Sequence, residues 1–198
     1  MAHRDRQRGS LRIVAGRLRN SRIDVPDAPG LRPTPDRVRE TLFNWLAPEI
    51  EGAHCLDLFA GTGALGIEAL SRGAATCTFV ERDAALAAAL RATLVRLKVE
   101  NAELRTEPAE RFLGGTPRPF DLAFVDPPFA LGLWQPSLDA LDTRGWLKPG
   151  ALVYVEAPAG EVLRVPPGWA PHRESRAGDV HFALFRAPRG LPAREALG

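Results

Sequence analysis

Asp126-Pro127-Pro128-Phe129 combines a carboxylate, a rigid backbone carbonyl and an aromatic ring within four residues. That combination suits an exocyclic amine on a nucleobase. Such a nitrogen is a poor nucleophile, because its lone pair is delocalised into the ring. The Asp126 carboxylate and the Pro127 carbonyl can each accept one amino hydrogen, which leaves the lone pair free to attack in line. Two successive prolines fix the backbone that presents these acceptors. Phe129 can stack on a base removed from its helix or loop, an interaction worth about 1–3 kcal/mol per base. Asp126 can also take the departing proton, although acceptor geometry should outweigh basicity. Asp-Pro-Pro is turn chemistry in any chain, so the stretch alone could simply close a strand.

Its setting is what gives it meaning. The tetrapeptide follows a strand-type run, Phe120–Val125, and lies downstream of Asp57-Leu58-Phe59-Ala60-Gly61-Thr62-Gly63-Ala64-Leu65-Gly66. Gly61, Gly63 and Gly66 spell G-x-G-x-x-G between a strand and a helix, a turn that lets a nucleotide-like ligand approach the backbone. Glu81, at the end of the next strand, is placed to accept hydrogen bonds from ribose hydroxyls. Nicotinamide dinucleotides and S-adenosylmethionine would both use that pair. Asp57 separates them: beside a pyrophosphate it would meet like charge in a low dielectric, whereas the ammonium and sulfonium of S-adenosylmethionine favour it. Asp57 could instead only tie the turn, and Glu81 could be a solvated strand-end carboxylate. With the tetrapeptide counted, the pattern implies methyl transfer from S-adenosylmethionine to a base amino group.

Positioning these residues needs alternating strands and helices. Strands are expected at His54–Phe59, Thr76–Glu81, Glu103–Thr106, Phe120–Val125 and Ala151–Glu156, with helices at Ala64–Arg72, Asp83–Leu97, Ala109–Leu113 and Leu133–Arg144. Near-continuous apolar strands between such helices predict a mostly parallel twisted sheet with helices on both faces. Ala170–Arg176 and Val180–Arg186 flank Ala177-Gly178-Asp179 and predict an antiparallel hairpin on the sheet edge. Leu11–Ala15 and Ser21–Val25 predict a short N-terminal β-hairpin around Gly16 and Asn20. After a Pro/Gly-rich connector, Thr34-Pro35 predicts a capped start to a helix carrying Val38, Leu42, Trp45 and Leu46 on one face and ending near Pro48. The fold class is α/β, a Rossmann-like class I methyltransferase fold. The expected organisation is a flexible basic stretch 1–10, one domain over 11–187 with 11–33 as its hairpin and connector, and a flexible tail 188–198.

A hydrophobic share of 45% and a charged share of 25% fit one soluble globular domain. No apolar run approaches the roughly 20 residues that cross a bilayer, and the start lacks a signal peptide's apolar core, so a cytoplasmic, membrane-free protein is expected. Cys55 and Cys77 sit in apolar runs and read as buried reduced thiols. The four histidines show no metal-ligand spacing, and no metal is expected. The net charge of +2 hides an asymmetry, because residues 1–39 hold ten of the 24 arginines and only four acidic residues. Guanidinium binds phosphate oxygens bidentately, so Arg12, Arg17, Arg19 and Arg22 are candidates for RNA contact. For Arg4, Arg6 and Arg8 a solubilising tail shaped by Arg-rich codon use is an equal reading.

These residues resemble a known family, the RsmD-type 16S rRNA (guanine-N2)-methyltransferases. The resemblance covers about residues 11–187. It rests on Leu11-Arg12-Ile13-Val14-Ala15-Gly16, on the discriminating block Gly30-Leu31-Arg32-Pro33-Thr34-Pro35-Asp36-Arg37-Val38-Arg39-Glu40-Thr41-Leu42-Phe43-Asn44-Trp45-Leu46, and on Asp57–Gly66, Glu81-Arg82-Asp83 and Phe120–Phe129. It implies that Asp57, Phe59, Gly61, Gly63, Glu81, Arg82 and Ala109 hold S-adenosylmethionine, with Asp126 at both cofactor and target base and Phe129 at the base. The Arg32–Glu40 segment would fold over the cofactor, with Thr34 at its methionine end, and Arg32 and Arg39 would join the RNA contacts. Thr34 and Arg39 could equally cap and salt-bridge a helix. One departure is visible: Pro108 stands where an acidic or polar residue would contact adenine, so the Ala109 amide or Glu107 would have to serve. The implied substrate is a guanine near the decoding region (family site guanine 966) in assembled small subunits, acted on by a monomer. DNA adenine-N6 or cytosine-N4 methylation and protein-glutamine methylation use similar chemistry. The first usually needs a target-recognition domain, for which this chain has no room, and the second would not need the basic arm.

Overall fold

The computed structural model describes residues 9–28, 31, 34–161 and 163–189. A two-stranded antiparallel hairpin, β1 (Gly9–Arg12) and β2 (Arg22–Val25), precedes α1 (Asp36–Leu46). The main sheet then forms from β3 (His54–Asp57), β4 (Thr76–Val80), β5 (Ala102–Arg105), β6 (Phe120–Val125), β7 (Leu147–Pro158), β8 (Ala170–Ala177) and β9 (Val180–Arg186). Between them lie α2 (Ala64–Ser71), α3 (Ala84–Arg96), α4 (Ala109–Leu113) and α5 (Trp134–Thr143). The strand order is β5-β4-β3-β6-β7-β9-β8; β9 runs antiparallel to β7 and β8 antiparallel to β9, the other pairs being parallel. This is the expected sheet and hairpin. β7 is longer than expected because Leu147 already pairs with Phe120; an irregular stretch follows, and pairing resumes from Leu152 along β6 and then β9 to Pro158.

Side chains alternate between two cores. Cys55, Leu122, Phe124, Leu152 and Tyr154 point towards α1, α2 and α3, while Leu56, Ala123, Val125, Val153 and Val155 point towards α4 and α5. Aromatic contacts link the first core, with Trp45 stacked on Phe182 at 5.5 Å and Phe43 beside Phe124 at 6.0 Å. Both cysteines are buried free thiols. Among the described residues no helix is long and apolar enough to cross a membrane.

The N-terminal segment is tied to α2 by a buried charge. Glu68, fully enclosed, accepts from the Val14 and Ala15 amides at 2.8 and 3.0 Å and from Arg72 Nε at 2.7 Å. Arg39 Nη1 lies 3.7 Å away. Gly16 then presses onto the end of α2: a Cβ there would stand 1.8 Å from the Ser71 carbonyl oxygen, so no other residue fits. Two expectations for α1 are corrected. The helix starts at Asp36 with no side-chain cap, and Thr34 is buried instead of capping. Arg39 is not available to RNA: it has no exposed surface, donates to the Arg12 carbonyl at 2.8 Å and pairs with Asp36 at 2.5 Å. Its position on the inward face of an amphipathic helix put it in the core, where only ion pairing makes a guanidinium tolerable.

Candidate active site

β3 and β6 are adjacent although β4 and β5 intervene in sequence, so the chain reverses its direction of sheet growth between them. In open α/β sheets that switch point opens a crevice at the carboxyl ends of the strands. Asp57 closes β3 there, and Asp126 follows β6, with Asp57 in register beside Phe124.

Asp57 is buried, and its Oδ2 accepts the Gly66 amide at 3.0 Å, tying the end of β3 to the first turn of α2. Burial pushes its pKa from 3.8 up to about 7; the Gly66 hydrogen bond opposes this and the Glu81 charge adds to it. Gly63 caps α2 in the left-handed region at φ 77°, and a Cβ there would come within 2.4 Å of Leu90. A Cβ on Gly66 would meet the Phe79 ring at 2.3 Å, so this glycine lets helix and sheet pack closely. Glu81 is buried and bridges the turn: its two oxygens accept from the Gly61 amide at 2.8 Å and the Asp83 amide at 2.7 Å. Asp83 in turn caps α3 through the Ala85 and Leu86 amides. Leu31 overlies the turn, its Cδ1 being 3.1 Å from where a Gly61 Cβ would stand.

The residues expected to hold the cofactor therefore fall into two groups. Asp57, Gly61, Gly63 and Glu81 meet at one turn, with Phe59 half-buried beside it. Arg82 is exposed next to Glu81, and Ala109 is buried at the start of α4, after Pro108. Glu107 pairs with Arg105 and Arg111, which engages it at the surface.

Asp126 lies beside Glu156, because Val125 pairs with Val155 and the next residue on each strand shares a face. The register brings the two carboxyl groups close enough for each to raise the other's affinity for a proton. Burial, then the Glu156 and Asp57 charges, hold the Asp126 pKa well above the usual carboxylate range. Glu156 Oε1 accepts from the Tyr154 hydroxyl at 2.7 Å, and the Glu156 carbonyl accepts from Trp134 Nε1 at 2.6 Å. Trp134 also packs on Phe129, ring centres 5.8 Å apart. Phe129 itself is partly exposed and opens a 3-10 turn, Phe129–Leu131, ending at Gly132 with φ 58°. Pro127 is buried and Pro128 exposed. Sequence reasoning missed Glu156, Tyr154 and Trp134; the available signal was a glutamate closing an otherwise apolar strand.

The basic residues are spread out. Arg12 and Arg22 face each other across the hairpin and are exposed. Arg17 and Arg19 sit in its turn, docked on the end of α2 through the Arg17 amide and Ser71 carbonyl at 2.8 Å. The Arg17 side chain reaches Asn101, just before β5. That edge, where the parallel strands begin, is opposite the edge carrying Asp57 and Asp126. Arg32 lies outside the described residues. A cleft of about 650 Å³ also lies at the far edge, lined by residues that include His54, Asp121, Lys148 and Arg186. Lys148 is paired there with Asp121, and Arg186 with Glu49.

A mostly parallel sheet with an antiparallel edge hairpin, a glycine turn after its first strand in sequence and paired acids near the switch point define a class I methyltransferase. The family described as conserved hypothetical protein 95 matches residues 11–186, and the chain belongs to that RsmD-type family. Ribosomal RNA small subunit methyltransferase D of Escherichia coli K12 is 49% identical over 179 residues, covering 90% of each chain. Its namesake in Haemophilus influenzae is 43% identical over 183 residues, 90% of this chain and 95% of that one. Among solved structures, the yhhF protein of Escherichia coli superimposes with a TM-score of 0.86 at 45% identity, over 91% of this chain and 99% of that one. An RNA methyltransferase from Salinibacter ruber in complex with S-adenosyl-L-homocysteine shares the fold at 20% identity and a TM-score of 0.63, over 82% of this chain and 97% of that one.

Proposed function

We propose that this chain transfers a methyl group from S-adenosylmethionine to the exocyclic N2 of a guanine in 16S rRNA of the small ribosomal subunit. The observation that carries the reading is the acceptor corner at Asp126-Pro127, one strand away from the buried Asp57 carboxylate. The residues fit the cofactor. Asp57 is a buried acid that gains from a neighbouring cation, and Glu81 ends beside the glycine turn with carboxylate lone pairs to spare for ribose hydroxyls. Phe59, Arg82 and Ala109 would line the adenosine side, and Leu31 and Thr34 would cover the methionine end. The cofactor supplies an electrophilic methyl carbon.

Asp126 and the Pro127 carbonyl hold the two amino hydrogens, Phe129 stacks on the base, and the nitrogen lone pair is aimed across the crevice. Catalysis is then mainly positioning. Exposed Arg12 and Arg22 would meet RNA phosphates along the hairpin, and Arg17, Arg19 and Arg32 would extend that contact. The protein would act as a monomer in the cytoplasm, as one domain over 11–187, on the small subunit or an assembly intermediate. The test is a tritiated-methyl assay comparing small subunits, free 16S rRNA, duplex DNA and release-factor peptides, followed by nucleoside analysis. Label in N2-methylguanosine supports the reading; label in DNA or peptide replaces it. Asp126→Ala should abolish transfer while cofactor affinity stays within about tenfold, and a variant that keeps most of its activity removes Asp126 from its role.

A further inference from the structure

We infer that Glu156 is a positioning residue for the transfer step, serving as the protonated partner that donates to Asp126 and turns that carboxylate's remaining oxygen to the substrate amine. The inference rests on the function proposed above and deepens it. Its basis is geometric. The β6–β7 register sets the two acids side by side at the mouth of the crevice, Glu156 buried and Asp126 half-buried, and neighbouring carboxyl groups hold one proton between them because two adjacent negative charges repel. Glu156 is enclosed, 5% exposed. Tyr154 donates to its Oε1, which assigns the acid's carbonyl oxygen to the tyrosine and leaves the other oxygen to carry the proton. Trp134 fixes the Glu156 backbone and also supports Phe129, so one indole sets both the acid pair and the ring expected to stack on the base.

Charge accounting gives the arrangement its use. As the nitrogen–carbon bond forms and the sulfur–carbon bond breaks, a sulfonium becomes a neutral thioether. The nitrogen then loses one proton, which goes to the free oxygen of Asp126. A pair that starts with one shared proton and one negative charge ends neutral as the sulfonium charge disappears. A doubly ionised pair would instead leave a negative charge stranded in the closed site, with Asp57 near by.

The experiment compares Glu156→Gln and Glu156→Ala in single-turnover methyl transfer to small subunits, with cofactor binding by calorimetry and thermal melting on the same preparations. Gln keeps the shape, accepts from Tyr154 and donates an amide hydrogen to Asp126, so its rate should be about two- to fivefold below that of the unmodified protein. Ala should lose about 100-fold or more in the transfer rate, with cofactor Kd within threefold and RNA KM little changed. An Ala variant within tenfold of the unmodified rate overturns the inference. So does a Gln variant as slow as Ala that still melts cooperatively and binds cofactor. If Ala does not fold, the Gln result decides alone: a rate within about fivefold of the unmodified protein supports the inference, and a folded, cofactor-binding Gln variant slower than that overturns it. Absence of any transfer by the unmodified protein would refute the proposed function, and label in DNA or peptide would reassign its substrate; neither outcome depends on Glu156.

Discussion

Replacing Asp57 with Asn should make the cofactor-free protein more stable and bind its cofactor less well. An acid whose pKa rises from 3.8 to about 7 on folding binds more protons folded than unfolded between those values, so its contribution to stability falls as pH rises through that window. At about 1.4 kcal/mol per pH unit, the ionised carboxylate costs the folded state about 4 kcal/mol above pH 7, and about 1.5 kcal/mol at pH 5. Asn keeps an oxygen for the Gly66 amide and carries no charge. Thermal melts of both proteins between pH 4 and 8.5 should therefore coincide near pH 4 and diverge up to pH 7. Above that, the variant should melt about 10 °C higher, given roughly 2–4 °C per kcal/mol for a chain of this size. Calorimetric titration should show cofactor affinity reduced about 10- to 100-fold, the worth of a hydrogen bond to a charged group. A variant less stable than the unmodified protein at pH 8, or a difference that does not change with pH, would refute the argument that burial holds this carboxyl's proton.

Two further outcomes test the N-terminal segment. Glu68→Ala should destabilise by about 3–5 kcal/mol, because it removes the buried carboxylate that faces Arg39 and Arg72 and leaves the Val14 and Ala15 amides unpaired; urea denaturation checks this, and a loss under about 1 kcal/mol contradicts it. Reversing Arg12 and Arg22 to Glu should weaken binding to small-subunit RNA and lower the slope of log affinity against log salt by about one for each phosphate no longer neutralised. Filter binding across salt concentrations measures it, with Arg17 and Arg19 reversed in parallel. An unchanged slope for the first pair takes the hairpin out of the interface.

Much of this was legible in contiguous residues. Two prolines after an acid, three glycines at fixed spacing and apolar runs separated by helical ones act through the backbone of their own segment, so Asp57, Gly61, Gly63 and Asp126 could be placed at strand ends without knowing what lay beside them. Strand order, register and inward face are different, because they depend on residues far apart in sequence. Arg39 looked like an arginine for RNA until the face of α1 put it against Glu68. Arg17 and Arg19 carried the same expectation of RNA contact as Arg12 and Arg22 until docking on Ser71 placed the hairpin turn at the edge opposite Asp57 and Asp126. Glu156 looked like the end of a strand. The residue types needed to bind a cofactor and hold an amine were set by the sequence alone, since they work through local geometry. Which buried charges face one another, and so which of them share a proton, was decided only when the sheet brought β6 against β7, because a charge in a low dielectric is governed by its neighbours in space.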